Sequence, residues 1–370
     1  MLKISRILSF VLILLLLIPF SSSATETELR DSSISAQHAY IYIPQLDTSI
    51  YEKAADERHA MASTTKIMTA LVALESCELD RVVKIDSAAV GIEGSSVYLK
   101  TGDEYYMKDL LYALLLQSAN DAAAAIAIEV GGSIEGFSSM MNEKAASMNL
   151  KDTHFENPHG LDAKNHYTTA RELALITAEA LKNPTFKSIV STYRKTISTV
   201  DGEAARTVVN HNKMLLLYDG AIGVKTGFTK KTGRCLVTAA EKDGLTLISV
   251  TLNAPSDWND HTKMLNYGFD RYENRVLADI GELSYEIPVI NGEKDSVRCE
   301  NTTEASIILK KGEEVKKKIE LSRFVTAPIK KGDVLGEVCF EYENGKEIRV
   351  PLIASTDIGE IKYKKGLFGF

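Results

Sequence analysis

The sequence has few cysteines: Cys77, Cys235, Cys299 and Cys339 are scattered over 370 residues without a C-x-x-C pair or zinc-finger spacing. That excludes a disulfide framework and a structural zinc finger. Cys235 in GRCLVTAA and Cys339 in LGEVCFEY sit in strand-like patterns, where a buried free thiol is expected. There is no dense Lys/Arg cluster away from the chain ends, and the formal net charge is −7, so the electrostatic footprint of a nucleic-acid binder is missing. Internal repeats and a helical H-x-x-x-H pair are absent as well. The lone sequon at Asn301 is short enough to arise by chance and carries no weight.

Only one long apolar run exists, residues 7–20, ILSFVLILLLLIPF. Lys3 and Arg6 precede it and SSSA follows, ending at Ala24, which is the pattern of a cleavable signal peptide over residues 1–24. Export across the cytoplasmic membrane is therefore expected, leaving the protein extracytoplasmic and wall- or membrane-associated. Removing the two basic residues takes the formal charge from −7 to −9.

What remains is of ordinary globular composition, 45% hydrophobic and 25% charged, and long enough for two domains. AQHAYIYIPQLDTSI alternates like a strand, and the segment to His59 reads as a turn and return strand. Helical periodicity starts at Thr64 and returns in MKDLLYALLLQSANDAAAAIAIEVGG, IEGFSSMMNEKAASMNL and RELALITAEALKN. Between the last two lies ENPHGLDAKNHYTTA, a loop of turn formers. After Val200 come three strand-like runs and one more helix, DHTKMLNYGFDRYENR. Strands at both ends of a helical middle predict an α+β domain over residues 25–278 with one shared antiparallel sheet flanked by helices. Residues 279–370 read as a small all-β, sandwich-like domain with turns at Asn291-Gly292 and Asn344-Gly345.

Polar residues at three places break these patterns. In MASTTKIMTALV, Ser63 and Lys66 stand one helical turn apart at the start of an apolar helix, so the amine can reach the hydroxyl. Lys66 is then either a snorkelling cation or, if partly removed from water and so inclined to be neutral, the base of a Ser-Lys nucleophilic pair. Ser118 and Asn120 interrupt the Leu/Ala-rich block, where they need partners. Lys225 and Gly227 point to one side of a predicted strand and Thr226 to the other, and the glycine leaves room for a ligand beside the backbone. Each element alone is weak.

Together, in the order Ser-x-x-Lys, Ser-x-Asn, Lys-Thr-Gly, they are the motif set of penicillin-binding proteins and class A β-lactamases. Over nearly its whole mature length the chain resembles the low-molecular-mass penicillin-binding proteins, serine-type D-alanyl-D-alanine carboxypeptidases. The blocks HAMASTTKIMTALVALE, LLLQSANDAAAAIA, ENPHGLDAKNHYTTARELALI and GVKTGFTKKTGRCLV carry the likeness. The resemblance implies a β-lactamase/transpeptidase-like fold and removal of the terminal D-alanine from peptidoglycan stem peptides ending in D-Ala-D-Ala. It also implies covalent inhibition by β-lactams, and it calls for no cofactor or metal. Ser63 would be the acylated nucleophile, Lys66 its base, Ser118 a proton relay and Asn120 an orienting group. Lys225, Thr226 and Thr229 would face the substrate carboxylate, with Gly227 beside the ligand. The backbone N–H groups of Ser63 and Phe228 would form the oxyanion hole.

Two departures stand out. Phe228 occupies the place where some relatives have histidine, and LNAPSDWNDH offers no arginine for the carboxylate. The end, IKYKKGLFGF, has three lysines and three aromatic residues, suited to weak contact with a membrane surface but too short for a stable amphipathic helix. Three rival readings are weaker. A β-lactamase needs a water-activating carboxylate, and neither Glu156 nor Asp162 sits in a Glu-x-x-x-Asn arrangement. A metal peptidase would draw on His154, His159, Asp162 and His166, which fall in a turn-rich loop without ligand spacing. A non-catalytic sensor is disfavoured because no motif is broken.

Overall fold

In a computed structural model of the protein, residues 28–342 and 345–362 are described. The expected signal segment, Asn344 of the second expected turn and residues 363–370 of the C-terminal stub lie outside them.

The chain begins with strands β1 (His38–Ile43) and β2 (Thr48–Lys53), then helix α1 (Lys66–Ser76), β3 (Val82–Lys84), β4 (Glu104–Tyr106), α2 (Met107–Leu115), α3 (Asn120–Gly131) and α4 (Ile134–Ser147). It continues with α5 (Ala170–Leu181), α6 (Pro184–Val190), β5 (Arg194–Ser198), β6 (Ala205–Val209), α7 (Met214–Leu217), β7 (Ala221–Thr229), β8 (Gly233–Lys242), β9 (Leu245–Leu252) and α8 (Asp257–Arg271). The N-terminal and late strands share one antiparallel sheet in the order β2-β1-β9-β8-β7, as the sequence pattern predicts. Its return strand begins earlier than expected. Pro44 cannot continue a ladder and opens a 3-10 turn, Pro44–Leu46, from which β2 runs back along β1.

Both faces of this sheet are covered. On β8, Cys235, Val237 and Ala239 join the large helical core, while Leu236 and Ala240 face the other way and pack with Leu265 of α8 and Leu247 of β9. Each fully buried aliphatic side chain of this kind contributes about 1.5–3 kcal/mol. Helix α3 runs through the core with Ala122 to Ala125 buried, small residues that let neighbouring helices come close.

At Tyr272 the chain leaves the helical region and becomes all β. Strand β10 (Tyr272–Ala278) pairs with β13 (Ala305–Lys310), and a six-stranded sheet follows the order β14-β16-β17-β12-β11-β15. Its members are β11 (Ser284–Ile290), β12 (Ser296–Glu300), β14 (Lys316–Leu321), β15 (Val325–Thr326), β16 (Val334–Tyr342) and β17 (Lys346–Ala354). Val297, Cys299, Val338, Phe340 and Leu352 fill this module's own core. Thus Tyr272–Ala278, which the sequence pattern assigns to the helical domain, pairs with a strand of the β module. The four cysteines are free, and Cys77 alone is not buried. Asn301 is only 1% exposed and its side chain bonds to Asp279, Thr303 and Leu283, so the sequon asparagine is structural.

Candidate functional site

Ser63 lies in a 3-10 turn, Ala62–Thr65, which feeds directly into α1. This turn starts from Ala62 with φ +46°, a left-handed conformation that an alanine seldom adopts. Two glycines let other segments close in on it. A Cβ at Gly160 would lie 1.9 Å from the Ala62 carbonyl oxygen, and one at Gly227 would lie 3.0 Å from that of Met61 and 3.1 Å from the Ser63 nitrogen. Strand β7 therefore passes against the Ser63 turn because residue 227 has no side chain.

Lys66, the first residue of α1, is fully buried. Its Nζ is 2.9 Å from Ser63 Oγ, 2.7 Å from Asn120 Oδ1 and 2.5 Å from the carbonyl oxygen of His159. Burial, reinforced by the charge of Lys225 and opposed by Asp121, holds its ammonium form well below the usual lysine range. The last two partners can only accept. A neutral amine donates its two N–H groups to them and keeps its lone pair for the Ser63 hydroxyl.

The polar break in the helical block places the second pair. Helix α2 ends at Leu115 and α3 begins at Asn120, with Ser118 at φ +60° between them, a backbone no continuous right-handed helix tolerates. Asn120 gives its amide N–H to the Glu93 carbonyl, so its Oδ1 is turned toward Lys66. The next residue, Asp121, is buried and accepts from Ser96 Oγ and from the backbone N–H groups of Val97, Leu99 and Ala122. It fixes the segment that carries Glu93 and Ser95. From β7, Lys225 reaches Ser118 Oγ at 3.0 Å and the Thr226 carbonyl at 2.9 Å, and burial pushes its pKa down to about 7.

These groups open on a cleft of about 430 Å³ lined by Ser63, Ser95, Ser118, His211, Lys213, Thr226, Gly227, Phe228, Arg234, Asp257 and Trp258. Of the residues expected from the sequence, Ser63, Lys66 and Asn120 form one hydrogen-bonded group and Ser118 and Lys225 a second; Ser63 and Ser118 line the same opening, together with Thr226, Gly227 and Phe228. Thr229 is placed differently. Its hydroxyl donates to Asp162 at 3.1 Å and accepts from the Thr232 N–H, which ties the β7–β8 turn to the loop beneath Ser63.

Arg234 is the group the sequence reading missed. It stands across from Phe228 in the β7–β8 register, bonds Asp257 through Nε and Nη2 at 3.0 and 2.9 Å, and lies over the Trp258 ring. Nothing local marks it, but counting back through the hairpin turn of TGFTKKTGR would have put it opposite Phe228.

The loop that supplied the rival readings is occupied with holding itself together. Glu156 accepts from Asn165, Asp162 from Thr229 and Thr232, and Asn157 from Gly160. His154 bonds the Asn165 carbonyl and His166 bonds Thr65. Among the described residues no group of three or more His, Cys, Asp or Glu is placed to hold a metal ion.

Residues 23–256 match the D-alanyl-D-alanine carboxypeptidase (peptidase S11) family and residues 272–360 the C-terminal domain of penicillin-binding protein 5. D-alanyl-D-alanine carboxypeptidase DacF of Bacillus subtilis is 32% identical over 382 residues, 98% of each chain. The crystal structure of penicillin-binding protein 5 from Haemophilus influenzae superposes with a TM-score of 0.64 at 28% identity, covering 90% of this chain and all of that one. A mutant form of the Streptomyces K15 DD-transpeptidase gives a TM-score of 0.61 at 38% identity over 64% of this chain and 98% of that one. With this match over both regions and the serine-lysine cleft in place, the chain belongs to the D-alanyl-D-alanine carboxypeptidase family of low-molecular-mass penicillin-binding proteins.

Proposed function

We propose that this chain removes the terminal D-alanine from peptidoglycan stem pentapeptides through an ester on Ser63, and that β-lactams acylate the same oxygen. The observation that carries the reading is the environment of Lys66: a fully buried amine whose third contact, beside two obligate acceptors, is the Ser63 hydroxyl. Lys66 takes the Ser63 proton as Oγ adds to the carbonyl carbon of the penultimate D-alanine. The developing oxyanion is received by the backbone N–H groups of Ser63 and Phe228. As the C–N bond breaks, the leaving nitrogen takes a proton through Ser118, whose Oγ is held by Lys225. Water then adds to the ester with Lys66 again as base, and Ser63 regains its proton. Asn120 keeps Lys66 in place and meets the substrate amide.

Carboxylate recognition falls to Lys225, Thr226 and Arg234, with Asp257 and Trp258 fixing the guanidinium. Thr229, whose hydroxyl is already committed to Asp162, has no part in it. The reaction needs no metal or organic cofactor. It takes place outside the cytoplasmic membrane, where the leader directs the chain and residues 361–370 touch the membrane surface weakly. No helix among the described residues is long and apolar enough to cross a membrane.

Intact-mass measurement after benzylpenicillin treatment tests the assignment. One adduct mapping to Ser63, lost together with D-alanine release in Ser63→Ala, is expected. An adduct retained by Ser63→Ala overturns it.

A further inference from the structure

The nucleophile's turn has a feature the reaction scheme does not use. Ala62 is held at φ +46° immediately before Ser63, a strained backbone for a residue with a side chain. Something must hold it. The Thr65 hydroxyl donates to the Ala62 carbonyl at 2.8 Å, closing the turn from within. Thr65 Oγ1 is in turn 2.7 Å from Nε2 of His166, a residue 101 positions away and 4% exposed.

The hydrogen positions in this chain follow from chemistry. A backbone N–H can only donate, and that of Glu156 points at His166 Nδ1 from 3.1 Å. Nδ1 is therefore the acceptor, and the proton sits on Nε2. Thr65 has one hydroxyl hydrogen, already given to Ala62, so it accepts from Nε2. The run Glu156 N–H to His166, His166 N–H to Thr65, Thr65 O–H to the Ala62 carbonyl is consistent in one direction. It requires a neutral imidazole. Phe155 meets the ring edge-on, and burial lowers the imidazole's pKa to about 4, with Glu156 and Asp162 opposing and His154 and Lys66 reinforcing.

Resting on the reading of Ser63 as nucleophile, we propose that His166 is a positioning residue. Its neutral ring, acting through Thr65, locks the left-handed Ala62 peptide and so sets where the Ser63 oxygen and N–H point. Without it, the turn can relax out of its strained geometry while Lys66 and the cleft stay in place.

The test is penicillin acylation of the full chain, resolved into the pre-acylation dissociation constant and the acylation rate constant. His166→Phe and Thr65→Val should each lower the rate constant by about 10- to 100-fold, since a shift near 1 Å at a reacting group has effects of that order. The dissociation constant should hold. His166→Gln, which keeps one acceptor and one donor, and Thr65→Ser, which keeps the hydroxyl, should recover most of the loss. The double variant Thr65→Val/His166→Phe should be about as slow as the slower single one, because both remove one linkage.

Wild-type rate constants in folded His166→Phe or Thr65→Val, or losses that multiply in the double variant, would overturn the proposal. Should His166→Phe fail to fold, the Thr65→Val and Thr65→Ser pair decides. Labelling of Ser63 is read in the same experiment. An unlabelled Ser63 sinks the nucleophile assignment, whereas a labelled Ser63 with unchanged rates sinks only the relay.

Discussion

Replacing Gly160 with alanine should cripple acylation without touching a reacting group. Gly160 has φ +88°, and an added Cβ would sit 1.9 Å from the Ala62 carbonyl oxygen, 2.4 Å from its carbon and 2.9 Å from Thr65 Oγ1. Real Cβ contacts essentially never fall below 3.0 Å, so one partner must retreat by at least the 1.1 Å difference between 3.0 and 1.9 Å. Both ways of retreating damage the site. If Ala62 moves, Ser63 moves with it. If the loop moves instead, the His159 carbonyl leaves Lys66, and the loop's own bond from Gly160 N–H to Asn157 is strained.

The expected result for Gly160→Ala is a fall in acylation rate of about 100-fold, the scale of a 1 Å misplacement. A stability loss of about 1–3 kcal/mol should accompany it, from the left-handed alanine and the clash. Gly202→Ala is the matched control. Its φ is +76° but nothing lies within 4 Å of the added Cβ. It should lose about 1–2 kcal/mol of stability through backbone strain alone and acylate normally. Stopped-flow acylation with a chromogenic β-lactam and urea unfolding of both variants are sufficient. Wild-type acylation in folded Gly160→Ala would refute the reasoning.

Other outcomes follow from the same geometry. Lys66→Met should slow acylation by about 10²- to 10⁴-fold, the usual worth of a general base, and an undiminished rate would assign the base elsewhere. Arg234→Lys keeps a charge for Asp257 but loses the planar fork. It should lower kcat/KM about 10-fold or more for a peptide ending in a free carboxylate, a loss in the range of one charge-assisted hydrogen bond. Against the C-terminal amide of that peptide the variant and wild type should match, and an equal loss on both substrates would remove Arg234 from carboxylate binding. Lys225 has its pKa depressed by burial from 10.5 to about 7, so the folded state favours the neutral amine relative to the unfolded chain. Its contribution to stability is complete above 10.5 and is lost as the pH falls through 7. Urea unfolding should therefore show wild-type stability rising with pH between about 7 and 9 more steeply than that of Lys225→Met, and parallel curves would contradict the burial argument.

The side chains of the candidate site were legible in the sequence because the proposed chemistry restricts both residue type and spacing. An amine can serve a serine one helical turn away only at the third or fourth position, and polar residues in an Ala/Leu-rich block have few structural excuses. The partners that give those side chains their character were not legible. Lys66 is held by the His159 carbonyl and Asn120 by that of Glu93, and a backbone carbonyl leaves no mark on residue identity. Arg234 was hidden for a different reason, since only a strand register makes it a neighbour of Phe228. In the fold, the shared sheet was predictable from strands at both ends of the helical middle. The short pairs β3–β4 and β5–β6, three to five residues long and largely exposed, carry too little alternation to be read.

Two buried amines in one cleft pose an electrostatic problem whose solution explains the ligand. Among the described residues, Lys66 and Lys225 are held by neutral oxygens and neither is paired with a carboxylate. Asp121, the nearby buried acid, has its oxygens filled by hydroxyl and backbone donors, and Asp257 is matched by Arg234. Burial then disfavours the charged form of both amines. Lys66, fully buried and repelled by Lys225, is held well below the usual lysine range, as the proposed role of base requires. Lys225, with a pKa of about 7, stands at the margin between charged and neutral. On the proposed reading, an incoming carboxylate would supply the counter-charge that the protein withholds and would favour the ammonium form of Lys225 beside Ser118. Peptide terminus and β-lactam share that carboxylate, so on this reading either class of acyl donor would complete the charge balance of the cleft.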